Sequence, residues 1–164
     1  HTVKGPWGNG KLGTRIRYGK WRIMGTLADH RIPVNITEEV IEANDETVRV
    51  RCRRAWEEGG EKKSDEREFR HQRYVPVGEA QKWKARHGEL TGAEAVQIGE
   101  RTVPCEIYTL FEEKEVPMLS GGTRTVRTKK ITHLSETVPG WRVGMRMQTE
   151  NAQKTEWELL DWNP

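Results

Sequence analysis

Phenylalanine is scarce in this chain, with two residues in 164, and cysteine is equally scarce, also with two. Apolar residues make up 34% against 32% charged, so any core must be thin and built from a few large side chains. The sequence contains no run of about 18 apolar residues, which excludes a membrane-spanning helix. The net charge is only +3, from 28 Lys and Arg against 25 Asp and Glu. That excess is too slight for a dedicated nucleic-acid binder, in which clustered positive charge dominates, so no nucleic-acid partner is expected. Low hydrophobicity implies disorder only when joined to high net charge. Here charge is near balance and the apolar residues are strictly patterned, so a folded chain is expected. At 164 residues the length fits one domain with a core better than two. His1-Thr2-Val3-Lys4-Gly5 carries no hydrophobic leader segment, consistent with a leader removed or never present.

Catalytic signatures are equally thin. The histidines at 30, 71, 87 and 133 do not pair at spacings that would bind a metal, and neither cysteine has a second ligand close in sequence. Ser64, Ser120 and Ser135 lie outside any Gly-x-Ser-x-Gly context. Gly121-Gly122 lacks the strand-loop-helix frame and the lysine of a phosphate loop. Carboxylates cluster at hairpin tips and outer strand faces rather than as an acid pair in an apolar setting. No metal, cofactor or enzymatic activity is expected; a dispersed hydrolase or isomerase site is the minor alternative.

What the chain does have is alternation. Trp141-Arg142-Val143-Gly144-Met145-Arg146-Met147 is apolar at every odd position, and Val48-Arg49-Val50-Arg51-Cys52-Arg53 repeats the pattern. Period-two patterning marks strands with one face on a core and the other in water. Seven tryptophans, at 7, 21, 56, 83, 141, 157 and 162, supply large buried area. They either fill a core poor in Leu and Phe or line an open concavity for an apolar ligand.

Along the chain, residues 1–13 read as an irregular lead-in and 14–162 as a single β domain. The first strand runs over 14–24, with Thr14, Ile16 and Tyr18 on one face. Trp21 and Ile23 have the opposite parity, and a bulge near Gly19-Lys20 would return them to that face. Further strands are expected over 32–43, 47–56 and 66–75, with an exposed tip at 57–63. A short helix is expected over 79–88, with Glu79 at its start, basic residues at its end and Gly88 as C-cap. Val96 to Ile98 and Thr102 to Tyr108 form a hairpin around Gly99-Glu100. Residues 112–122 read as a long flexible loop, followed by strands over 124–133, 141–149 and 155–162. The expected fold is mainly β, an antiparallel meander of about eight or nine strands forming a curved sheet or incomplete barrel.

The succession Pro6-Trp7, Gly13-Thr14-Arg15-Ile16-Arg17-Tyr18, the hairpin ending at Cys105-Glu106-Ile107-Tyr108, Leu134-Ser135-Glu136-Thr137-Val138-Pro139-Gly140 and Glu158-Leu159-Leu160-Asp161-Trp162 resembles a loose group of small exported bacterial proteins of unknown function. These are often lipoproteins, and some of the group are similar in architecture to the half-barrels of lipoprotein carriers and receptors. The resemblance implies a curved sheet and an extracytoplasmic setting, in the periplasm or cell envelope. It transfers no catalytic residues.

The sequence therefore supports a non-enzymatic exported domain that binds a lipid, acyl chain or other apolar small molecule on its concave face. The expected lining is Trp21, Ile23, Val50, Trp141, Val143, Met145 and Met147, with Met118 and Leu119 in a loop that covers it. Cys52 and Cys105 share faces with core residues, as two buried free thiols or as a disulfide between neighbouring strands. Arg15, Arg17, Arg49, Arg51, Arg53, Arg142 and Arg146 fall on outward positions. They either pair across strands with Glu38, Glu42, Glu156 and Glu158 or present a basic face to an anionic partner at the cell envelope.

Overall fold

A computed structural model describes residues 1–23, 31–149 and 152–163. The ends of the expected strands at Met24 and the turn at Asn151, together with His30, lie outside the described residues.

The main body is a nine-stranded antiparallel sheet. Its strands are β2 (Arg15–Ile23), β3 (Arg31–Ala43), β4 (Thr47–Glu58), β5 (Glu61–Gln72), β7 (Glu89–Ile98), β8 (Arg101–Pro117), β9 (Thr123–Leu134), β10 (Arg142–Thr149) and β11 (Ala152–Trp162). A second, two-stranded sheet pairs β1 (Thr2–Lys4) with β6 (Tyr74–Pro76), and α1 (Val77–Ala85) follows β6 directly. The order in the large sheet is β5-β4-β3-β2-β11-β10-β9-β8-β7. Every sequential strand is a spatial neighbour, except that β2 also meets β11, and β5 and β7 do not pair. The sheet is thus an up-and-down barrel left open along one seam, and β6 and α1 connect the two edges of that seam. The expected mainly-β meander is the observed fold class, and the sheet is not closed.

Turn chemistry sets the register. Asn44 Oδ1 accepts the backbone N–H groups of Glu46 (2.9 Å) and Thr47 (2.7 Å), an Asx turn that reverses β3 into β4. Gly59 and Gly60, at φ 60° and 79°, make a two-residue hairpin, so β4 and β5 run almost to the tip where a longer exposed loop was expected. Likewise Glu112–Gly122 is not a flexible loop. β8 continues to Pro117 and pairs with β9 from Pro117↔Thr123 to Glu106↔Leu134. Met118 and Leu119 sit at the tip of this ribbon, Leu119 fully exposed.

The core gathers Ile16, Tyr18, Val40, Val48, Val50, Val103, Cys105, Val143 and Leu159. Residues from β4 and β8 meet in one cluster although five strands lie between them, so the sheet curls around its own inner face. The curl also brings the Arg101 guanidinium to 4.7 Å from the Trp162 ring centre. Residues 1–13 are more than a lead-in. Trp7 is 3% exposed within this core, and the Gly140 N–H donates to Pro6 O at 2.6 Å. Gly140 has φ 79°, and a Cβ there would sit 3.3 Å from Trp7 Cζ2, so glycine is what lets the turn close on the tryptophan.

Candidate functional site

The register places the sequence-predicted lining residues in different surroundings. Between β2 and β3 the pairing runs without a shift from Arg15↔Glu39 to Ile23↔Arg31. No bulge interrupts β2, so Trp21 stands on the face opposite Tyr18 and is 39% exposed. The side chain of Ile23 lies outside the described residues. The irregularity falls instead on β11, where Leu160 is the extra residue between Leu159↔Tyr18 and Asp161↔Arg17. Trp141 is not part of a strand. It has φ 60°, directly after Gly140, and is buried in edge contact with Trp83 of α1 at 5.5 Å. Of the rest, Val50 lies in the first cavity described below, Val143 and Met145 lie in the second, and Met147 is half-buried on β10.

The first cavity, of about 400 Å³, lies on the inner face of β2 to β5. Trp7, Ile36, Val50, Phe69 and Trp157 form its apolar walls, and Tyr18, Lys20, Glu38, Cys52, His71 and Arg142 bring polar groups to it. Register explains the gathering. Tyr18 faces Ile36 across β2 and β3, Glu38 faces Cys52 across β3 and β4, and Val50 faces Phe69 across β4 and β5. All of these side chains therefore project to one side. Arg142 arrives from β10. The register shifts between Arg142 and Gly144, and this bulge turns an arginine expected on the outside towards the core.

Arg142 Nη2 donates to both Glu38 oxygens, at 3.0 and 3.3 Å, and its guanidinium lies 5.5 Å from the Tyr18 ring centre. Glu38 is 8% exposed and Arg142 is half-buried, so this is an inner-face ion pair rather than the outer-face partnership expected for Glu38. Burial works against the charge on Arg142, but Glu38 and its neighbours offset it and hold the guanidinium pKa above its ordinary value. Tyr18 is 4% exposed, its hydroxyl lies by the Arg142 guanidinium, and its O–H donates to no acceptor. Burial raises the Tyr18 pKa well above the phenol range. His71 stacks on Trp7 with ring centres 5.9 Å apart, and burial together with Arg142 lowers its pKa. Burial, then Glu38, raises the pKa of the Cys52 thiol.

The second cavity, of about 300 Å³, lies between β7 and β11, with Val96, Ile98, Val143, Met145, Trp157 and Leu159 along it. The buried His133 bonds Glu94 at its edge at 2.5 Å.

Cys52 and Cys105 are free thiols, which overturns the disulfide alternative. Cys52 is on β4 and Cys105 on β8, and the sheet order separates them by five strands. Burial pushes the Cys105 pKa up to about 11, so neither thiol is activated as a nucleophile. Among the described residues, no three His, Cys, Asp or Glu side chains are grouped to hold a metal.

The outer face answers the question of the arginine stripe. Arg15 pairs with Glu39 at 3.3 Å, Arg49 with Glu42 at 2.8 Å, Arg51 with Glu66 at 3.2 Å and Arg53 with Glu66 at 2.6 Å, while Arg17 pairs with Asp161. The expected cross-strand pairing is present, with Glu42 as foreseen and Glu39, Glu66 and Asp161 as further acids. Sequence reasoning missed Trp7, Tyr18, Glu38, His71, Arg142 and Trp157 as one group. The shared parity of Ile16 and Tyr18, and of Glu38 with Val34, Ile36 and Val40, was the available signal for part of it.

No protein-family model, no curated protein and no solved structure matches this chain.

Proposed function

We propose that this chain is a non-enzymatic binding domain that holds a small apolar molecule, such as an acyl chain, on the inner face of its open sheet. The observation that carries the reading is the cavity of about 400 Å³ walled by Trp7, Ile36, Val50, Phe69 and Trp157. Its size falls in the range of roughly 300–1,000 Å³ typical of small-molecule sites, which combine apolar walls with a few polar groups. The open seam runs along β5, and Phe69 on that edge strand is 47% exposed beside the cavity. An exposed aromatic at the mouth suits entry of an apolar guest.

The raised pKa values of both thiols favour binding over thiol chemistry. An exported, envelope-associated setting accompanies this reading and rests on the resemblance alone. The alternative of a basic outer face against an anionic envelope partner has less support, because that face spends its arginines on cross-strand acids.

Native mass spectrometry of protein purified from its own host tests the proposal. A co-purifying apolar adduct that is released on denaturation, and lost when Val50 is enlarged to Trp, is the expected result. A clean apo mass, with no uptake of added apolar probes, counts against it.

A further inference from the structure

We propose that the occupant of the first cavity is a monocarboxylate with an apolar body, its carboxylate lodged against Tyr18 and Arg142 with Lys20 at the rim. This rests on the cavity being a binding site, and it adds the chemistry of the head group.

Three observations point to an anion. The Tyr18 side chain lines the cavity at 4% exposure, and its buried O–H donates to no acceptor. Buried hydroxyls are nearly always hydrogen-bonded, so this site is one acceptor short. Arg142 bonds Glu38 through Nη2, its guanidinium lies 5.5 Å from the Tyr18 ring centre, and Glu38 is the one carboxylate in the lining. A guanidinium carries five N–H donors on a planar fork and can serve one carboxylate along each edge. Finally, the lining holds Arg142 and Lys20 against the single carboxylate of Glu38. Lys20 has no ion-pair partner among the described residues, and the shifts at His71 and Cys52 favour their neutral forms. The cavity therefore carries a net positive charge. An ammonium would meet two cations there, and a bare hydrocarbon would leave the Tyr18 O–H without an acceptor.

The test compares octanoate, octanol and octylammonium by titration calorimetry on the wild-type chain and on Tyr18→Phe and Lys20→Gln. Octanoate binds about tenfold more tightly than octanol, since a hydrogen bond to a charged group is at stake. Tyr18→Phe weakens octanoate more than octanol and so narrows that preference. It costs little in melting temperature, because the deleted O–H donates to no acceptor in the free protein. A merely structural tyrosine would show the opposite pattern. Lys20→Gln, at an exposed position, weakens octanoate and reduces its salt dependence. Equal binding of octanol and octanoate, or tighter binding of octylammonium, overturns the head-group assignment and leaves the apolar cavity standing. If none of the three probes binds, the cavity itself is not a ligand site.

Discussion

Glu38 sits between Ile36 and Val40 on the inner side of β3, a position that strand parity marks as core. A carboxylate is tolerated there because Arg142 reaches it from a different part of the chain, at 3.0 Å. Removing one member of a buried pair leaves the other charge desolvated and alone, a much larger cost than the pair's own net contribution. Arg142→Ala strands the Glu38 carboxylate at 8% exposure and is therefore expected to lower stability by about 3 kcal/mol in urea denaturation. Arg53 bonds Glu66 at 2.6 Å, but on the solvent-facing side, where water and salt screen the pair. Arg53→Ala should leave the urea midpoint unchanged. Equal effects from the two variants would remove the distinction drawn between an inner and an outer face.

Among the elements, α1 shows how one turn fixes a larger contact. Trp83 packs edge-on against Trp141, and the Lys84 ammonium bonds Glu106 at 2.9 Å and Glu136 at 2.7 Å. Tyr108 Oη donates to the same Glu106 oxygen at 2.7 Å, so the helix is clipped to β8 through one shared carboxylate. To reach this position the chain reverses at Gly88, with φ 103° and a Cβ position only 2.0 Å from Thr109 O. No side chain fits there without moving the backbone of β8. Gly88→Ala is expected to destabilise by at least about 3 kcal/mol, from the positive φ and the clash together. Gly78, inside α1, has open space around its Cβ position. Gly78→Ala should instead stabilise by up to about 1 kcal/mol. Thermal melts of both variants distinguish a steric requirement from a general intolerance of change in the helix.

For the whole molecule, the open seam leaves titratable groups packed where the two halves of the sheet and α1 converge. His71 and His87 both have pKa values lowered from 6.5, first by burial and then by Arg142. A base depressed in the folded state binds its proton more readily when unfolded. The unfolded chain then carries the extra protons just below pH 6.5, and stability falls as pH drops through that value towards the folded pKa. The carboxylates behave differently. Burial acts to raise the pKa of Glu106, but Lys84 and Tyr108 outweigh it, and the net shift is below 4.5. Asp161 is lowered from 3.8 by Arg17. Their contribution is present above their unfolded pKa values and is lost only at lower pH. Urea midpoints should thus decline between about pH 7.5 and about pH 5 before the acid limb begins. His71→Gln should flatten part of that decline, whereas an unchanged slope would place its origin elsewhere.

Alternation in the sequence by itself determined the mainly-β class, most strand positions, the Asn44 and Gly99 turns and the helix ended by Gly88. Those features are local, set by side-chain period and by residues that tolerate special backbone angles. It also exposed the outward arginines and their need for acids. Only the tertiary structure decided which core-facing residues meet. A bulge at Val143 reverses parity without any mark in composition and turns Arg142 inward, whereas β2, where a bulge was expected, has none, and Trp21 stays out. The cavity joins Trp7 from the first residues, His71 from an edge strand and Trp157 from the last strand, and no local pattern links positions so far apart. The strand order that separates Cys52 from Cys105 is likewise a property of the curled sheet, not of either strand alone.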